Sequence, residues 1–203
     1  VSGTANPIEF WFDFSSPYGY FMAEKIDALA ARYGREVAWH PYLLGAVYKV
    51  TGGAPLTGLP MKGEYSLHDI IRSARYLGLP FVVPEPFPVA TQHAARAFYH
   101  LQDTDSALAR RFALAVYRAF FVDGRDISSL DTVKQVAESV GVAGDELGIA
   151  VSADAIKARL KTECEAALAR GIFGSPYVVI DGECFWGVDR LPQIERWLET
   201  GGF

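Results

Sequence analysis

The sequence predicts an α/β protein in which two short β-rich segments enclose an all-helical middle. Three observations predict it. Residues 8–14 (IEFWFDF) are aromatic-rich with partial alternation, and a helical apolar spacing and a second strand-like run follow them. Residues 177–186 hold two short apolar runs around Asp181-Gly182, a hairpin turn signal. Between these ends lie five stretches with apolar residues three and four apart.

The first strand, Ile8 to Phe14, runs into Ser15-Ser16-Pro17. Serine ahead of proline is a helix start: the hydroxyl caps orphan N–H groups, and proline loses nothing at the first helical position. Apolar residues at Phe21, Met22, Ile26, Leu29 and Ala30 predict one helix reaching about Tyr33 and closed by Gly34. Val37 to Leu44 is the second strand. A strand, helix, strand opening implies a parallel pair with a right-handed crossover. Gly45 to Lys62, rich in Gly and Pro, predicts an ordered loop or the start of an insertion. Helices are predicted around 67–77, 94–101, 108–122, 130–140 and 153–168. The segment 80–88 (PFVVPEPFP) is too proline-dense for a central strand. Tyr177 to Ile180 and Glu183 to Trp186 form the closing hairpin, and Leu191, Ile194, Trp197 and Leu198 mark a last helix. The order βαβ, helices, ββα matches a thioredoxin-like fold carrying an all-helical insertion. The predicted division is 1–62 with 152–203 for the thioredoxin-like domain, and 63–151 for the insertion.

A chain of 203 residues, 50% apolar and 21% charged, is long enough for a stable core. The net charge of −5, without a basic run, argues against a partner that is a nucleic acid. No apolar stretch approaches the ~20 residues of a membrane span. The N-terminal VSGTANPIEF has neither the basic region nor the apolar core of a signal peptide. A cytoplasmic location is expected. Cys164 and Cys184, twenty positions apart, are expected to be buried free thiols. The four histidines, His40, His68, His93 and His100, show no metal-ligand spacing, so no metal is expected. Gly53 to Gly58 has the gap of a phosphate loop but lacks its lysine. There is no GxSxG elbow, and the one asparagine, Asn6, lies in the tail, which disfavours a Cys-His-Asn hydrolase.

The chemistry points instead to Ser16-Pro17-Tyr18-Gly19, placed where a thioredoxin-like protein carries Cys-x-x-Cys. Without a dithiol, disulfide exchange cannot run. A helix N-terminus still favours an anion, and a hydroxyl there is placed to hydrogen-bond a thiolate brought in by a cofactor. Lowering a thiol pKa by about two units takes ~2.7 kcal/mol of preference for the anion. Alone, the tetrapeptide predicts only an N-cap at Ser16. Gly174-Ser175-Pro176-Tyr177 adds weight, because that strand entry is where the fold places a cis-proline. A cis-Pro176 would leave the Ser175 N–H and C=O free to pair with an extended peptide. Gly187-Val188-Asp189-Arg190 opens the last helix, with Asp189 as its expected N-cap. That carboxylate beside helix N–H groups would also recognise an amino-acid zwitterion. A lone lysine such as Lys62 says little alone.

Together these residues resemble one family. Phe12-Asp13-Phe14-Ser15-Ser16-Pro17-Tyr18 is similar to the D-x-x-S-P-Y/F signature of the 2-hydroxychromene-2-carboxylate isomerases and kappa-class glutathione transferases, in the DsbA-like branch of the thioredoxin superfamily. The resemblance continues in order through Leu43-Leu44-Gly45, Thr51-Gly52, Pro60 to Tyr65, Gly171 to Pro176 and Gly187 to Arg190. It implies glutathione as cofactor. Ser16 would stabilise its thiolate, and the Ser175 backbone before Pro176 would hold the cysteinyl unit. Asp189 and the Val188 backbone would hold the γ-glutamyl end. Lys62 would reach the glycyl carboxylate or an acidic substrate. Two positions depart: the family often has Asn where Gly53 stands, and Ser or Asn where Val188 stands.

The resemblance implies an isomerase converting 2-hydroxychromene-2-carboxylate to trans-o-hydroxybenzylidenepyruvate, in aromatic compound degradation, acting as a homodimer on a small aromatic carboxylate. Its alternatives are kappa-type conjugation of glutathione to small electrophiles and a non-catalytic DsbA-like peptide binder.

Overall fold

Strand β1 (Ile8–Phe12) lies inside a four-stranded mixed sheet of order β2-β1-β3-β4. It runs parallel to β2 (Val37–Pro41) and antiparallel to β3 (Tyr177–Ile180), which turns back into β4 (Glu183–Trp186). The computed structural model describes residues 6–203; the first five residues of the N-terminal stretch discussed above lie outside the described residues.

The predicted order of strands and helices is present, with four differences. The first helical region is two helices, α1 (Pro17–Ala23) and α2 (Ile26–Arg32). The ladder tightens between them, where Lys25 N–H bonds the Met22 carbonyl, and Glu24 there makes a two-pronged ion pair with Arg118 at 2.7 and 2.8 Å. The second strand stops at Pro41 rather than Leu44. Proline cannot donate to a ladder, and the N–H of Leu44 is already bound by a side chain, Asp13 Oδ2, at 2.8 Å. The chain then coils into α3 (Leu44–Thr51), within the stretch expected to be loop, and ends at Gly52 in the left-handed region, φ 72°.

The helical middle continues with α4 (Lys62–Leu77), α5 (Gln92–Gln102), α6 (Ser106–Phe121), α7 (Leu130–Ser139), α8 (Gly144–Ser152) and α9 (Asp154–Ala169). Helix α8 has no counterpart in the sequence reading. Its two glycines each cost about 1 kcal/mol of helix propensity, and burial of Leu147 and Val151 offsets this. The proline-rich 80–88 segment forms no strand. After β4, a short 3-10 turn, Val188–Arg190, leads into α10 (Leu191–Thr200).

Sheet and helices share one core. Phe12, fully buried, meets Phe10 and Trp39 on the sheet, Phe98 on α5 and Tyr117 on α6, with ring centroids 4.8 to 6.2 Å apart. Cys164 is buried as expected, but Cys184 is exposed, because β4 is the sheet's edge strand and only Phe185 turns inward.

Candidate functional site

The end of β1, the start of α1 and the entry to β3 converge on Ser16. Its backbone is extended (φ −93°, ψ 116°), and Pro17 opens the helix behind it. Ser16 is buried, 6% exposed. Its Oγ accepts from Gly19 N–H at 3.1 Å, the expected cap, and donates to the Ser175 carbonyl at 2.8 Å. The predicted cis bond is present between Ser175 and Pro176. The Ser175 carbonyl is not free, however, since it accepts the Ser16 proton. The two motifs, 159 residues apart in sequence, are joined by one hydrogen bond.

Val188 and Asp189 arrive through the same loop. Gly187 N–H bonds the Pro176 carbonyl at 3.1 Å, and the 3-10 turn that follows packs on α1. Asp189 is not the N-cap of α10. That position is Arg190, without a side-chain cap, because the intervening turn moves the helix start beyond Asp189. The Asp189 side chain is 71% exposed, 3.5 Å from Arg190. Val188 is buried and offers only backbone. Lys62 opens α4, which packs on the other flank of α1. It lines a cavity of about 410 Å³ together with Tyr18, Tyr65, Ser66 and Asp69. All six sequence-predicted residues therefore surround α1. Gly53 is exposed, and a Cβ there would meet the Tyr48 ring at 3.0 Å, a tight contact.

The sequence reading gave no role to Asp13, which organises the site. Its buried carboxylate accepts from Ser15 N–H, Leu44 N–H and the Thr91 hydroxyl, each at 2.8 Å. Its N–H donates to Ser175 Oγ at 2.9 Å, and its carbonyl accepts from Ser16 N–H and the Tyr117 hydroxyl. Burial pushes the Asp13 carboxyl above its ordinary value, against the pull of those three hydrogen bonds. Tyr42 donates to the Gly174 carbonyl at 2.6 Å and so holds the cis-proline loop from below. Burial, then the nearby Asp13 charge, holds both Tyr42 and Tyr117 well above the ordinary phenol value. They stay protonated as donors. The position of Asp13 three residues before Ser16 was the available signal; Tyr42 and Tyr117 carried none.

At Gly19 a Cβ would lie 2.6 Å from the Tyr117 hydroxyl and 2.9 Å from Ser175 Oγ. At the helix start the site has the Ser16 hydroxyl in place of a thiol, with an exposed lysine on one side and an exposed aspartate on the other. His40 stacks on Trp11 at 4.4 Å. No described helix is long and apolar enough to cross a membrane.

Fold and site define a thioredoxin-fold protein in which a serine and a glycine stand where a redox dithiol would. The chain belongs to the DSBA-like thioredoxin domain family, whose model matches residues 7–199. It is 28% identical to "Glutathione s-transferase kappa 2" of Caenorhabditis elegans, covering 94% of this chain and 91% of that protein. It is also 28% identical to the 2-hydroxychromene-2-carboxylate isomerase of Sphingobium xenophagum, covering 94% and 97%. Among solved structures, a 2-hydroxychromene-2-carboxylate isomerase superposes with a TM-score of 0.87 at 26% identity, over 96% of this chain and 95% of the other.

Proposed function

We propose that this protein is a glutathione-dependent isomerase of the 2-hydroxychromene-2-carboxylate type. The observation that carries the reading is the Ser16–Ser175 hydrogen bond, a hydroxyl and a peptide edge placed together where no protein thiol exists. A tripeptide laid along Ser175 would give its N–H to the Ser175 carbonyl. That frees the Ser16 proton to turn to the incoming sulfur, so one exchange seats the peptide and stabilises the thiolate. A hydrogen bond to a charged acceptor contributes about 1.5–3 kcal/mol, more than the neutral one it replaces. Helix α1 adds the Tyr18 N–H, since Pro17 has none and the Gly19 and Tyr20 N–H groups are bonded to Ser16. Asp189 holds the γ-glutamyl ammonium, with backbone at Val188, and Lys62 neutralises a carboxylate.

The hemiketal ring of the substrate opens first: its C–O bond breaks, the hydroxyl proton passes to the phenol oxygen and a conjugated ketone forms, to whose β-carbon the thiolate adds. A C–S bond forms, the alkene electron pair moves to the carbonyl oxygen as an enolate, and rotation occurs about the new single bond. Collapse of the enolate restores the double bond and expels the thiolate, so glutathione is regenerated. Covalent addition divides one hard step into two easier ones, and a cation at Lys62 stabilises the enolate and carboxylate charge. In this reading residues 63–151 are the helical insertion, and 1–62 with 152–203 the thioredoxin-like domain. The protein acts as a cytoplasmic homodimer, where the reduced glutathione pool is available.

Kappa-type transfer to an electrophile uses the same thiolate, and a kappa-class relative is as similar as the isomerase. Mass spectrometry separates the two, since an isomer keeps its substrate's mass and a conjugate does not. The reading expects chromene carboxylate isomerisation to require glutathione, and Ser16→Ala to lower kcat/KM about ten- to a hundredfold. Turnover without glutathione, or an unimpaired Ser16→Ala, rejects it.

A further inference from the structure

Helix α4 has a thin hold on the rest of the chain. Of its sixteen residues, Gly63, Ser66, Ile70 and Ala74 are buried, and it packs chiefly on α1 and on the short turn Leu56–Gly58. Lys62, Ser66 and Asp69, spaced i, i+4 and i+7, line the cavity. The same spacing shifted by two residues gives Glu64, His68 and Ile71, continued by Arg75. Two residues are about 200° of helical turn, so this second stripe lies on the side of α4 away from the cavity. All four of its residues are exposed. Ile71, in its middle, is 41% exposed, and Tyr65, on its border, is 62% exposed. The intervals of four, three and four residues are those of a coiled-coil seam. An acid stands at one end and a base at the other. Neither Glu64 nor Arg75 forms an ion pair among the described residues. The neighbouring Arg72 is already paired with Asp69.

We propose that this stripe is a dimer contact, in which α4 pairs antiparallel with α4 of a second copy of this chain, about a two-fold axis between positions 69 and 70. Glu64 then faces Arg75 of the partner subunit, and His68 faces Ile71 of the partner subunit, each contact occurring twice. A parallel pair would set acid against acid and base against base. A charge order that runs from acid to base matches itself only when the second helix is reversed, as a two-fold interface requires. The pairing gives a second packing surface to the helix that carries Lys62, and it leaves the cavity side of that helix open. The interface rests on the homodimer of the functional reading and on no other part of it.

The test is sedimentation equilibrium on the wild type, Glu64→Arg, Arg75→Glu and the double charge swap Glu64→Arg/Arg75→Glu. The wild type is expected to be a dimer that salt weakens. Each single reversal opposes like charges at two places and is expected to weaken the dimer about tenfold or more. The double swap rebuilds both opposite pairs and is expected to return to within about threefold of the wild type. The two single variants mixed in equal amounts also rebuild both pairs, so they are expected to associate with each other more tightly than either does with itself. Far-ultraviolet dichroism checks the fold, because the swap opposes the dipole of α4. If a reversed chain does not fold, Glu64→Ala and Arg75→Ala replace it, each expected to weaken the dimer about threefold or more. A monomeric wild type overturns the interface and the homodimer together, while glutathione-dependent turnover by that monomer leaves the isomerase reading standing. A dimer that the substitutions leave unchanged, or that neither the double swap nor the mixture restores, overturns this interface alone.

Discussion

At position 19 a second thiol is barred by space as well as by sequence. In an ordinary helix, Gly→Ala stabilises by about 1 kcal/mol. Here the added methyl would press on the Tyr117 hydroxyl at 2.6 Å. Tyr117 has little freedom to yield: it is fully buried, bonded to the Asp13 carbonyl at 3.0 Å and packed on Phe12, Phe14 and Tyr20. Gly19→Ala is therefore expected to destabilise by about 1–3 kcal/mol, the cost of overpacking. Urea unfolding measures it. Adding Tyr117→Phe removes the obstructing oxygen, so the double variant is expected to lose clearly less than the sum of the two single losses; strict additivity contradicts the steric account. Ser16 was legible because a capping serine before proline announces itself locally. Tyr117 and Tyr42 were not, since their bonds to Asp13 and Gly174 span 104 and 132 residues.

At the scale of elements, the Asp13 carboxylate joins the starts of α1, α3 and α5 through Ser15, Leu44 and Thr91. Asp13→Asn keeps a carbonyl oxygen for Ser15 and Thr91 but turns an NH₂ against the Leu44 N–H. The lost acceptor is expected to cost about 1–3 kcal/mol. Its pH dependence has a definite sign. The folded-state pKa is raised, so between the ordinary carboxylate value and that raised value the folded chain binds more protons than the unfolded one. Stability from this group then falls as pH rises through the window. The asparagine lacks that slope, so the difference between wild type and Asp13→Asn is expected to shrink as pH rises from about 4 towards neutrality. A difference that widens over that range contradicts a raised pKa. The same anchor explains why α3 was read as loop. Residues 44–51 begin at a contact from Asp13, just after β1, so the start carries no capping signal of its own, and the glycines that close the helix read equally as loop. Helices α4 and α6 were legible, being long and strongly periodic.

For the whole molecule, the order of the strands and of the helices other than α3 and α8 could be read from hydrophobic periodicity and turn signals, but not how the helical middle meets the sheet. Rings from both interlock: Tyr20 of α1 stacks on Phe121 of α6 at 5.7 Å, Tyr117 lies against Phe12 and Phe14, and Phe81 stacks on Phe121 at 5.5 Å. Phe121 is fully buried among them. No pattern within one segment encodes such a meeting, because the apolar stripe of α6 says only that it faces a core. The packing predicts that the residues between β2 and β3 do not unfold as a separate unit. Phe121→Ala opens a cavity shared by both parts and is expected to cost about 3–5 kcal/mol. Because the same core serves sheet and helices, the loss should move a single transition, with far-ultraviolet and near-ultraviolet dichroism giving one midpoint in wild type and variant alike. Two separated midpoints in the variant, with only the earlier one displaced, would show that the helical part carries a core of its own. The ring contacts around α1 would then join two units rather than build one, and α4, which carries Lys62, would be held less firmly against α1 than a preorganised site requires.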